Sequence, residues 1–223
     1  MNRLIVFDCD GTLVDSQATI IAAMGEAFAA HGLPAVNPVA IRRVVGLSLV
    51  EAMQTLLPDQ KAEAHGLLAE SYKRAFHELR RRGMVEEPLY PGIAALLHAL
   101  EARGFVLGVA TGKSDRGLGL CLAGHGIAHH FVTLQTADRH PSKPHPAMLH
   151  AAIAEAGATP ETTIMIGDTS YDMQMARAAG ASAIGVDWGY HHPQELLDAG
   201  AHHVIDDTAA LLRWIETSEE RAA

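Results

Sequence analysis

Apolar positions along the chain follow two regimes. Leu4 to Phe7 is an uninterrupted apolar run, and the expected buried strand covers about residues 3 to 8. From Ser16 to about Gly83 only helical periodicity follows. Ile20, Ile21, Met24, Ala27 and Phe28 recur at three- and four-residue spacing, and Gly32-Leu33-Pro34 stops that helix. Shorter helices are predicted over 38–45 and 48–57, and a longer one over 59–82. The last ends in Arg80-Arg81-Arg82-Gly83, cations in a final turn followed by glycine, as a helix C-terminus favours.

From Tyr90-Pro91-Gly92 onward the pattern alternates. Helices predicted over 93–103, 114–125, 146–156 and 171–179 interleave with strands over 105–110, 131–134, 163–166 and 183–186. His203-Val204-Ile205 and the segment Thr208 to Glu216 close the pattern, and the residues after Thr217 are expected to fray. Alternating strands and helices imply a parallel sheet covered on both faces. The expected fold class is therefore α/β, a Rossmann-like parallel sheet flanked by helices, with a small helical bundle inserted after the first strand. Residues 1–15 and 86–223 form the α/β unit and residues 16–85 the bundle.

Composition narrows the function classes. In 223 residues, 48% apolar and 19% charged, a sizeable core can form. A net charge of -9 argues against nucleic acid or an anionic membrane as partner. No apolar stretch reaches the roughly 18 residues of a membrane span. The chain enters a strand at once with no signal-peptide pattern. Its two cysteines, Cys9 and Cys121, show no metal or redox spacing, so a reduced, cytoplasmic protein is expected. Oligomeric state stays open between monomer and homodimer.

Four segments carry candidate chemistry. The first strand runs into Asp8-Cys9-Asp10-Gly11-Thr12. Residues two apart on a strand face the same way. Asp8 and Asp10 are thus expected together at a strand's C-terminal end, where open parallel sheets place their ligand crevice. Adjacent carboxylates repel unless a cation lies between them. The second segment, Ile166-Gly167-Asp168 with Asp172 four residues later, again ends a strand at a carboxylate. Three carboxylates there make an oxygen-rich site suited to Mg²⁺ more than Zn²⁺. The plainer reading of Asp172 is a helix N-terminal charge, and both roles can coexist. The third, Thr111-Gly112-Lys113-Ser114, puts a hydroxyl and free N–H groups at a helix start, an anion site or an N-capped turn. The fourth, Ser142-Lys143-Pro144, holds a lysine on a rigid loop. By itself that lysine reads as a solvated surface residue, but beside three carboxylates and a phosphate it has a charge to balance.

In this order and spacing the four segments resemble the haloacid dehalogenase superfamily of aspartate-nucleophile phosphatases, and the match covers most of the chain. The helical insert resembles that family's bundle-type cap, and the whole looks most like the phosphoglycolate phosphatase-like branch. The resemblance implies Asp8 as nucleophile carrying an aspartyl-phosphate, and Asp10 as acid, then base. It implies Mg²⁺ held by Asp8, the Asp10 carbonyl and Asp168. Thr111, Gly112 and Lys143 would bind the phosphoryl group, and Asp172 would orient Lys143 or a metal-bound water. The substrate would be a small phosphorylated metabolite: phosphoglycolate, pyrophosphate, a sugar phosphate or a nucleoside monophosphate. Val45-Gly46-Leu47-Ser48-Leu49 resembles a cap turn facing the active site, with Ser48 where relatives carry proline. Arg42, Arg43 or Gly46 would then reach the substrate, against the plainer reading of both arginines as surface charges. Asp15 and Ser16 would serve as N-cap and hinge.

Three rivals are weighed. A phosphomutase of the β-phosphoglucomutase type needs a cap set that holds a bisphosphate, and none is evident in residues 16–85. A halide-releasing relative lacks the second aspartate of the first motif, which Asp10 supplies. A degenerate binding module would have lost Asp8, Asp10 or Lys143. Cys9 is expected to pack in the core, Lys113 to face solvent, and the pairs His129-His130, His191-His192 and His202-His203 to be solvated loop residues.

Overall fold

The computed structural model describes residues 2–220, with side chains described to residue 217. The strand β1 (Leu4–Phe7) is followed by four consecutive helices: α1 (Gln17–Ala30), α2 (Pro38–Arg43), α3 (Leu49–Leu56) and α4 (Ala62–Arg81). Then come α5 (Ile93–Ala102), β2 (Val106–Thr111), α6 (Asp115–Gly124), β3 (Phe131–Thr136), α7 (Ala147–Ala156) and β4 (Thr163–Gly167). The chain closes with α8 (Ser170–Ala178), β5 (Ser182–Val186), α9 (Pro193–Asp198), β6 (His203–Ile205) and α10 (Thr208–Glu220).

All strand pairs are parallel, and the sheet order is β3-β2-β1-β4-β5-β6. β1 is central, and the chain winds outward from it first through β2 and later through β4. That reversal opens a crevice at the carboxyl ends of β1, β2 and β4. β1 is buried on both faces, which is why it reads as a continuous apolar run. Ile5 and Phe7 enter one core layer with Leu107, Val109 and Ile166 under α5, α6 and α10. Leu4 and Val6 enter the other with Met165 and Ala183 under α7 and α8. The four-helix insert has a core of its own, built from Ile20, Met24, Phe28, Met53, Leu68 and Leu79.

The predicted elements are present with ends shifted by a few residues, and three expectations are corrected. α9 is absent from the pattern reading because a six-residue helix that buries only Leu196 carries no apolar stripe. α10 continues past Thr217 to Glu220, and residues 221–223 lie outside the described residues. Two of the histidine pairs are half inside. His130 is buried with Nδ1 2.6 Å from Glu101 Oε2, and His191 is buried with Nδ1 3.2 Å from the Ser170 amide. Each gains a polar partner from a distant part of the chain, which pair spacing cannot reveal.

Candidate active site

Asp8 sits one residue beyond β1, and its amide donates to the Ile166 carbonyl of β4 at 2.9 Å, so the sheet fixes its backbone. The carboxylate is buried. Oδ1 accepts from the Cys9 amide at 2.6 Å and lies 3.0 Å from Lys143 Nζ. Oδ2 is buried and has no hydrogen-bond partner among the described residues. Burial raises the Asp8 carboxyl to about 7, with the Lys143 ammonium pulling it down and the Asp172 and Asp10 carboxylates adding to the rise. Cys9 points into the core, where its hydrogen bond with Cys121 and burial push its thiol up.

Lys143 is also fully buried, between Asp8 and Asp172, with Nζ 2.6 Å from Asp172 Oδ1. Burial works against its charge, and the two carboxylates outweigh it, so the ammonium is held above the ordinary lysine range. The solvated-lysine reading is thereby excluded. Asp172 serves both roles considered for it. Its Oδ2 accepts from the Thr169 amide at 3.1 Å and the Thr169 hydroxyl at 2.7 Å, closing a capping box on α8, while Oδ1 holds Lys143.

Asp168 follows β4 and is buried beside them. Its Oδ1 accepts from Thr12 Oγ1 at 2.8 Å and its Oδ2 from the Tyr190 amide at 2.9 Å. Burial, Asp172 and Asp8 together push its carboxyl well above the ordinary range. Gly11, at φ +85°, is required here: a Cβ would lie 2.1 Å from Asp168 Oδ2. Oxygen atoms of Asp8, Asp168 and Asp172 come within 4.8 Å of one another, a grouping that could hold a metal ion. The set is all oxygen, and Asp8 Oδ2 has no hydrogen-bond partner among the described residues, which fits a hard divalent cation.

The Asp10 carboxylate turns away from that cluster. Its Oδ1 accepts from the Ser16 hydroxyl and lies 2.9 Å from Lys113 Nζ. Ser16 precedes α1 yet makes no side-chain cap; the amide of Gln17 instead donates to Asp15 Oδ1 at 3.3 Å. Lys113 overturns the expectation of solvent exposure. Its side chain is only 9% exposed and also reaches Glu87 Oε1 at 2.7 Å, and Glu87 Oε2 receives Arg80 of α4 at 2.7 Å. Burial opposes the Lys113 charge, and Asp10 and Glu87 override it. No local pattern signals this contact, since Glu87 lies on the return from the helical insert.

Thr111 closes β2, buried, and its Oγ1 accepts from the Lys113 amide at 3.3 Å; Ser114 caps α6 through the Gly117 amide at 3.1 Å. Gly112 lies directly under the insert, where a Cβ would come within 2.5 Å of the Leu47 carbonyl oxygen. The insert is seated on the α/β unit by a hydrogen bond from the Ser48 amide to Ser142 Oγ at 2.8 Å, and by Arg43 paired with Glu195. Arg42 donates to Gln17 Oε1 at 3.1 Å. Of Arg42, Arg43 and Gly46, only Gly46 lines the cavity next to the site.

Buried carboxylates at the ends of β1 and β4, a buried lysine beside them and a seated helical insert are thus gathered at the crevice of a Rossmann-like sheet. The sequence profile of the haloacid dehalogenase-like hydrolases matches residues 5–186, and the chain belongs to that family. It is 35% identical to the probable phosphatase IndB of Dickeya dadantii over 92% of this chain and 90% of that one. It is 32% identical to a phosphoglycolate phosphatase of Vibrio cholerae over 97% and 98%. Among solved structures, a predicted phosphatase from Clostridium acetobutylicum superimposes with a TM-score of 0.88 at 26% identity, covering 97% of this chain and 99% of that one. No helix among the described residues is long and apolar enough to cross a membrane.

Proposed function

We propose that the protein hydrolyses the phosphomonoester of a small metabolite through an aspartyl-phosphate on Asp8, with Mg²⁺. The carrying observation is Lys143, buried between Asp8 and Asp172, beside an Asp8 oxygen that has no partner among the described residues. A nucleophilic carboxylate must be held still and its charge balanced as a dianionic phosphate approaches, and Lys143 meets both needs.

In the first half-reaction the Asp8 carboxylate forms a bond to phosphorus, the bond from phosphorus to the ester oxygen breaks, and Asp10 gives that oxygen its proton. In the second, Asp10 as carboxylate takes a proton from water, the water oxygen bonds to phosphorus, and the bond to Asp8 breaks to release inorganic phosphate. Thr111, the Gly112 amide and Lys143 hold the transferring group. Asp8, the Asp10 carbonyl and Asp168 would hold Mg²⁺, with Asp172 committed to Lys143. When bound, the ion would supply positive charge against the phosphoryl oxygens. Residues 16–85 act as the cap that excludes water, and 1–15 with 86–223 as the catalytic core. The names of several relatives make phosphoglycolate the first substrate to assay.

The test is phosphate release from phosphoglycolate, pyrophosphate, hexose phosphates and nucleotides, with Mg²⁺ and with excess chelator. Chelator-sensitive release that disappears in folded Asp8→Asn supports the reading. Substantial turnover by Asp8→Asn removes Asp8 as nucleophile.

A further inference from the structure

A cavity of about 290 Å³ lies between the helical insert and the α/β unit. On the core side it reaches Asp10, Gly112 and Lys113, but none of Asp8, Lys143 and Asp168 lines it. It therefore opens on the acid/base side of the site, where the ester's leaving group must lie.

The insert is seated while this space stands open, because Ser48 is bonded to Ser142 and Arg43 paired with Glu195 across the same junction. The volume is thus not a gap left by a displaced insert. Ile41, Val45, Leu49, Ala52, Tyr72 and Phe76 make most of its insert-side wall apolar; the polar part is Lys73, His77 and Arg80, with Lys73 paired to Glu70 and Arg80 to Glu87. The rings of Tyr72 and Phe76 are tilted against each other with centroids 5.9 Å apart. Burial pushes the Tyr72 phenol up, so it keeps its proton as a donor.

Size and chemistry then limit the occupant. At roughly 30 Å³ per water-sized unit, the cavity has room for about ten non-hydrogen atoms, and an apolar cavity of about 150 Å³ already takes a benzene ring. A two-carbon hydroxy acid would fill about half of it and leave the apolar part of the wall uncovered.

We propose that the leaving group is an alcohol with a bulky apolar body, a ring or branched hydrocarbon of roughly ten non-hydrogen atoms, rather than a two-carbon hydroxy acid. This rests on the reading of Asp10 as the group that protonates the leaving oxygen.

The experiment compares kcat/KM for 2-phenylethyl phosphate, ethyl phosphate and phosphoglycolate in the Mg²⁺-loaded protein. All three release primary alcohols, so the comparison reads the cavity more than the ease of bond breaking. The expected result is an advantage of about tenfold or more for the phenylethyl ester over each of the others. Ala52→Leu, which narrows the chamber, should shrink that ratio toward one. A wild-type preference for phosphoglycolate or ethyl phosphate overturns the proposal even if Ala52→Leu fails to fold. Absence of chelator-sensitive release from every ester, with Asp8→Asn indistinguishable from wild type, would instead overturn the catalytic reading beneath it.

Discussion

Lys113 Nζ lies 2.9 Å from Asp10 Oδ1, with the two side chains only 9% and 11% exposed. A buried cation thus touches the residue proposed to carry the proton. Beyond it, Glu87 and Arg80 continue an ion-pair chain onto α4 of the insert. The seat of Asp10 is therefore built jointly by the core and the insert.

Removing that cation should disturb both chemistry and stability. Lys113→Met is expected to lower kcat/KM by about 10- to 100-fold, since Asp10 loses the partner that fixes it. Stability should fall by about 1–3 kcal/mol as buried carboxylates lose a charge partner, with Arg80 still holding Glu87. Lys113→Arg should recover part of the activity. Steady-state kinetics and urea unfolding measure both effects, and wild-type kinetics in Lys113→Met would show that Asp10 needs no such seat.

Gly112 offers a test of the seated insert. A methyl group there would meet the Leu47 carbonyl oxygen at 2.5 Å and the Gly46 carbonyl oxygen at 2.9 Å, both backbone atoms that cannot swing away. Gly112→Ala should hold the insert off the core and lower kcat/KM by at least about tenfold. The two units keep their separate cores, so the melting temperature should move little. Unchanged kinetics would mean that the insert need not seat as closely as it does here.

Asp172 joins a helix cap to the lysine of the site. Asp172→Ala removes the capping box on α8 and leaves Lys143 with Asp8 alone, so a loss of about 3–5 kcal/mol is expected, the range for breaking a buried pair. Asp172→Asn keeps an acceptor for the Thr169 amide and should fold better while still losing activity. Denaturant unfolding beside kinetics separates the cap from the charge. Equal stability losses in the two variants would assign Asp172 to Lys143 alone.

The raised Asp8 carboxyl gives metal binding a pH dependence. The folded protein keeps a proton on Asp8 up to about 7, whereas the unfolded chain gives it up near 3.8. The stability this contributes is full below the lower value and is lost as pH rises through about 7. Above that pH the bare carboxylates repel, and the proposed Mg²⁺ would take the proton's place. Added Mg²⁺ should therefore raise the melting temperature more at about pH 8 than at about pH 5.5, and its binding near neutrality should release protons. Calorimetric titration in buffers of different ionisation enthalpy reads that release, and Mg²⁺ affinity independent of pH between those values would contradict it.

Much of this was written in local pattern. The β1 residues are buried on both faces, so their apolar run is continuous, and the carboxylates that follow it fall at the crevice because a parallel sheet leaves its strand ends there. The order of Asp8, Thr111, Lys143 and Asp168 along the chain was enough to point to the family, since each follows its own strand or loop. The sequence by itself also marked the helical insert, whose amphipathic helices bury one face against each other. Tertiary structure alone decided the rest. Lys113 looks like a surface residue until the chain returns from α4 and lays Glu87 against it, 26 positions away in sequence. Asp172 and Lys143 are separated by 29 positions and meet only when β4 pairs with β1. The size and lining of the cavity depend on how the insert sits on the core. Such contacts are long-range packing outcomes, and the periodicity that locates a helix or strand carries no record of which distant side chain will neutralise its charge.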